Sequence, residues 1–76
     1  MSAKMIDVEY VLADLLYPDQ LEVGDIIQEP FEDEFVKIEN IESLAQGYAI
    51  TYSNDFGEID SVIFDDYQQV SLFVIR

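Results

Sequence analysis

The stretch GYAITYSNDFGEIDSVIFDDY, Gly47–Tyr67, decides the fold. Tyr48, Ile50 and Tyr52 fall on one side of its first half, with Ala49, Thr51 and Ser53 on the other. That is the period-two pattern of a strand buried on one face. Asn54-Asp55-Phe56-Gly57 then supplies a turn: Asn and Asp bond their own backbone, and Gly takes positive φ at no steric cost. Glu58–Phe64 alternates again, with Asp60, Val62 and Phe64 on one side and Ile59 and Ile63 flanking Ser61 on the other. The paired acids Asp65-Asp66 end it. The segment predicts a β-hairpin with an acidic patch at each end.

Working outward, Phe35–Ile41 reads as a strand with Val36 and Ile38 opposite Lys37 and Glu39. The apolar position slips to Ile41 after Asn40, which predicts a bulge or a strand end there. Glu32-Asp33-Glu34 reads as an acidic turn. Leu21–Ile27 reads as a turn at Gly24-Asp25 leading into a strand over 25–31, interrupted by Pro30, which cannot donate to a ladder and belongs at an edge or bulge. Met5–Leu12 alternates Ile6, Val8, Tyr10 and Leu12 with acids, a strand pattern, although Val8, Leu12 and Leu15 also fit a helical stripe. Residues 13–21 read as one short helical turn broken at Tyr17, because a residue before proline is pushed out of the α region. Gln69–Arg76 is apolar on both faces, so it is either a central strand or one whose second face meets a partner.

The chain is thus expected to be a single all-β domain over residues 1–76, a small antiparallel barrel or roll of five or six strands. The order Leu21-Glu22-Val23-Gly24-Asp25-Ile26-Ile27, then Val36-Lys37-Ile38, Gly47-Tyr48 and Asn54-Asp55-Phe56-Gly57 resembles small SH3-like β-barrel proteins. In particular it is similar to the acidic, mostly uncharacterised ones encoded by bacteriophages. The resemblance implies an SH3-like barrel of phage origin and no catalytic residues.

Composition narrows the chemistry. The 76 residues include ten aromatics, five Phe and five Tyr, and half are apolar, too much burial potential for a disordered acidic tail. Cys and His are both absent, so disulfides, thiolate metal sites and the commonest general base are absent too. Seventeen acids stand against Lys4, Lys37 and Arg76, a net charge of −14. With no cationic surface to release counterions, direct nucleic-acid binding and anionic membranes are disfavoured, and a basic partner is expected instead. The residues Met1–Tyr10 show neither an apolar h-region nor a small-residue cleavage site, and a cytoplasmic protein is expected.

The acids admit several readings. Asp55, Glu58, Asp60, Asp65 and Asp66 offer oxygens to a divalent cation, but Gly57 follows Asp55 too closely for an EF-hand loop, and a solvated turn explains them as well. Paired carboxylates suit glycoside hydrolysis, yet so small a domain is expected to lack a cleft of ligand size. No serine has a base, so no enzyme, metal or cofactor is expected. The tyrosines resemble a stacking platform, but without a basic groove Tyr10, Tyr48 and Tyr52 read as core or rim packing. What remains is either a surface charged for solubility or a display of carboxylates that mimics nucleic acid.

The resulting expectation is a non-enzymatic acidic binding protein that engages a basic host protein, such as a polymerase or nuclease. Glu32, Asp33, Glu34, Asp55, Glu58, Asp65 and Asp66 would meet the partner, with Phe73 as an apolar anchor. The alternative is a self-associating structural or assembly module of a phage, a homo-oligomer joined through the C-terminal strand.

Overall fold

Tyr17 divides the N-terminal half of the chain. Held extended ahead of Pro18 (φ −85°, ψ 158°), it lets the preceding strand run on to Leu16 and, among the described residues, confines helix to the 3-10 turn Pro18–Gln20. The helical turn expected from residue 13 therefore begins only after the break, and the period-two reading prevails over the helical stripe. The computed structural model describes residues 9–76, so the part of the first expected strand at Met5–Val8 lies outside the described residues.

Six strands follow in chain order: β1 (Tyr10–Leu16), β2 (Ile26–Gln28), β3 (Phe35–Leu44), β4 (Gly47–Ser53), β5 (Ile59–Asp65) and β6 (Val70–Ile75). All neighbours pair antiparallel in one sheet of order β1-β6-β2-β3-β4-β5. The hairpin read from Gly47–Tyr67 is present as β4 and β5, in unbroken register from Gly47 opposite Asp65 to Ser53 opposite Ile59. The C-terminal strand is central, bonded to β1 on one side and β2 on the other, as its two apolar faces require.

Two local expectations shift. The bulge in β3 falls at Glu39 rather than after Asn40: Ile38 pairs with Tyr52 and Asn40 with Thr51, which leaves Ile41 opposite Ile50 and packed on the core. The strand expected over 25–31 stops at Gln28, because the next residue, Glu29, gathers the backbone after it into a loop.

A closed barrel is not formed. β1 and β5 are the two edges of an open sheet. Each edge carries an aspartate whose carboxylate takes the amide of the next residue: Asp14 Oδ1 accepts from Leu15 and Asp60 Oδ1 from Ser61, both at 2.8 Å. Donors spent in this way are unavailable to a closing ladder, and carboxylates on both edges oppose their approach.

One face of the sheet carries the core. Ile27, Ile38, Ile50 and Phe64 are its largest fully buried aliphatic and aromatic side chains, joined by Val36, Tyr52, Val62 and Val70. On the opposite face, Tyr10 stacks on Phe35 with ring centroids 4.4 Å apart, and Phe35 meets Phe73 edge-on at 4.8 Å. Gly47 lies under β5 so closely that a Cβ there would stand 2.2 Å from the Phe64 carbonyl oxygen. Backbone, not a flexible side chain, is in the way. Gly47→Ala is expected to cost about 2 kcal/mol, read as a lower urea midpoint at unchanged m-value.

No helix among the described residues is long and apolar enough to cross a membrane.

Candidate functional site

Between the β2–β3 loop and the start of β5 the chain forms a concave cleft of about 520 Å³, open to solvent. Glu29, Glu32 and Glu34 line it from the loop, Glu58 from the turn before β5, Asp60 from β5, and Tyr52 from β4. Phe31 and Ile59 stand on its rim, both largely exposed, and neither Lys nor Arg is among the lining residues. Its volume lies within the range of small-molecule sites and corrects the expectation that so small a domain would lack a cleft of that size.

Glu29 builds the loop wall. It is the buried charged residue of the described chain, 5% exposed, and its carboxylate is fully engaged. Oε2 accepts the Phe31 amide at 3.0 Å and Oε1 accepts the Glu32 amide, with the Tyr52 phenol nearby in the same cleft. The ends of the loop are tied by the Glu29 amide donating to Glu34 O at 2.8 Å and the Asp33 amide to Glu29 O at 3.0 Å. Asp33 closes the loop at φ 58°, the one positive φ outside glycine among the described residues. Hydrogen bonds to a buried carboxylate offset the desolvation that would otherwise exclude it.

Across the cleft, the β4–β5 turn is organised by Asn54. Its Oδ1 accepts the amides of Phe56 (2.9 Å) and Glu58 (3.0 Å), and its Nδ2 donates to Glu58 Oε1 at 2.8 Å. Gly57 takes φ 80°. Glu58 is therefore held at the cleft mouth rather than left to swing.

Tyr52 records the field of the site. Burial first, then the charges of Glu29, Asp60 and Glu32, raise its phenol above the usual tyrosine value. A raised value favours the neutral phenol in the folded state. The stability this contributes is present below about pH 10 and is lost as the pH climbs through the folded-state value. Unfolding midpoints are therefore expected to drop on going above pH 10, and Tyr52→Phe to shallow that drop, measured by urea denaturation at a series of alkaline pH values.

Compared with known protein families, curated proteins and solved structures, the chain matches none.

The sequence-derived residues divide by place. Glu32, Glu34 and Glu58 come together in the cleft, with Asp33 beside them in the loop backbone. Asp55 lies on the other side of the turn, lining a shallow depression with Tyr10, Phe35 and Phe56. Asp65 and Asp66 sit at the far end of β5, about 23 Å from Glu58 at ~3.3 Å per strand residue, where Asp65 Oδ1 accepts the Tyr67 amide. Phe73 is half-buried against Phe35 rather than freely displayed. Both edges of β6 are occupied, so an association through that strand would use side chains and not backbone pairing.

Of the cleft residues, the sequence marks Asp60 only as an oxygen offered to a cation and Tyr52 only as core or rim packing, and it does not mark Glu29. Asp60 was legible as the acid on the Val62–Phe64 face, a position where a carboxylate has to have a reason. Glu29 carried no comparable signal, since its burial depends on the loop that it organises. No group of three or more acids among the described residues is arranged to hold a metal ion.

Proposed function

We propose that this chain is a non-enzymatic acidic binding protein that engages a basic surface of a protein that handles nucleic acid, as a phage-encoded inhibitor or nucleic-acid mimic would in the host cytoplasm. The observation that carries the reading is the cleft itself, a concavity lined by Glu32, Glu34, Glu58 and Asp60, and by Glu29 as its frame, with no Lys or Arg in the lining. Duplex DNA presents one negative charge per ~1.7 Å of axis, and a groove built for it attracts carboxylates fixed on a rigid frame. Here the frame is supplied by Glu29 and Asn54, whose hydrogen bonds fix the two walls. The remaining acids of a chain with net charge −14 steer encounter from a distance, and the cleft sets register at contact. The strand-and-turn order that resembles SH3-like phage proteins supports the same reading at the level of fold, as a roll left open between β1 and β5.

Immobilised chain exposed to bacterial lysate tests it. Nucleic-acid-handling proteins are expected to be retained at about 0.1 M salt, and released both by duplex DNA and by about 1 M salt, which shortens the screening length from ~10 Å to ~3 Å. Retention indifferent to both contradicts the proposal.

A further inference from the structure

The wall of the cleft formed by β5 is also a sheet edge that no described strand covers, and its geometry specifies what would pair with it. The Asn54 amide donates to Glu58 O at 3.0 Å, which sets the phase of the β4–β5 ladder. With the register unbroken, Asp60, Val62 and Phe64 exchange backbone bonds with β4, while Ile59, Ser61, Ile63 and Asp65 turn their N–H and C=O groups away from it. The Ser61 amide confirms this phase, because it donates to Asp60 Oδ1 and not to β4. The two faces of the strand differ in chemistry. Ile59 and Ile63 are about two-thirds exposed on one, at 68% and 69%. Glu58 and Asp60 stand on the other, beside the cleft.

We infer that β5 takes up an extended segment of the basic partner as a seventh strand, one in which basic and apolar residues alternate. Its backbone bonds to the outward groups of Ile59, Ser61 and Ile63. Its apolar side chains lie beside Ile59 and Ile63, and its basic ones beside Glu58 and Asp60. Asp60 is the device that makes the edge selective. In the free protein its carboxylate occupies the Ser61 amide, blunting the edge against neutral strands, and a cation drawn to that carboxylate releases the amide for pairing. A second copy of this chain is the poorer occupant. It brings the same carboxylates at a net charge of −14, and its β5 carries no Lys or Arg to meet Asp60. At the other edge, β1 is broken by a bulge at Ala13, so its backbone does not present an equally regular template.

The inference rests on the basic-partner reading above, and synthetic peptides separate the two. A short peptide alternating valine and lysine is titrated into the full chain at low salt, beside a peptide of the same composition in blocked order and an alternating peptide N-methylated at every second residue. Amide exchange is followed by NMR. The alternating peptide is expected to bind at least about tenfold tighter than either control and to slow exchange at Ser61 and Ile63. Ser61→Pro, which removes an amide that β4 does not use, is expected to abolish that preference while the sheet stays folded. Equal binding of all three peptides, or protection appearing along β1 instead, overturns strand addition and leaves the acidic cleft standing. Failure of every lysine peptide to bind overturns both.

Discussion

Phe64→Ala is expected to destabilise the domain by about 4 kcal/mol, the cost of emptying a fully buried aromatic site. Phe64 is 2% exposed and packs with Ile27, Ile38 and Ile50 at the centre of the core. Small domains hold only about 5–15 kcal/mol in total, so a loss of this size leaves a substantial unfolded population near physiological temperature. Thermal melting followed by far-UV circular dichroism reads it directly. The neighbouring Ile63→Ala supplies the control. Ile63 is 69% exposed on the other face of the same strand, and its truncation is expected to stay within about 0.5 kcal/mol. Similar losses for the two variants would mean that β5 does not present the face described here.

The second large effect belongs to Glu29. Glu29→Ala deletes the acceptor of the Phe31 and Glu32 amides. Each donor left without a partner costs on the order of 1–3 kcal/mol, and loop relaxation toward water recovers part of it, so a net loss of about 3 kcal/mol is expected. Glu29→Gln is expected to lie between wild type and Glu29→Ala, because the amide keeps one oxygen and turns a donor toward a donor. Denaturant unfolding gives the stabilities. Faster exchange of the Phe31 and Glu32 amides locates the damage in the loop. Wild-type exchange at both amides in Glu29→Ala would show that the carboxylate does not hold the loop. Unlike Phe64→Ala, Glu29→Ala is also expected to weaken partner binding while the sheet stays folded, because Glu32 and Glu34 lose their frame.

Much of the fold was legible because alternation is a local signal. The β4–β5 hairpin follows from Tyr48, Ile50, Tyr52, Val62 and Phe64 taken two residues at a time, and the central place of β6 follows from apolar residues on both its faces. Strand ends were less legible where a side chain competes with the ladder for backbone donors. Glu29 stops β2 three residues before Phe31, and no pattern of apolar residues records that. Closure was illegible for a related reason. At the two edges Asp14 and Asp60 each take a neighbouring amide, a contest between side chain and strand that periodicity does not reflect.

The site was legible by half. Glu32, Glu34 and Glu58 stood out as acids near turns, and the sheet brings the two turns to one side. Asp65 and Asp66 stood out equally, yet β5 carries them to its far end. Proximity in sequence to the same hairpin says little about position, because a strand of seven residues separates its termini by about 20 Å. Phe73 was an anchor by hydrophobicity alone, and its ring is already in contact with Phe35.

Under the proposed function, the cleft and not total charge carries recognition. Two variants of equal charge test it against the same basic protein recovered from lysate. One carries Glu32→Gln, Glu58→Gln and Asp60→Asn in the cleft. The other carries Asp19→Asn, Asp65→Asn and Asp66→Asn away from it. Affinity at about 0.1 M salt is expected to fall at least about tenfold for the cleft variant and to change less than about threefold for the other. Equal losses in both would contradict the claim and leave only a uniformly acidic surface.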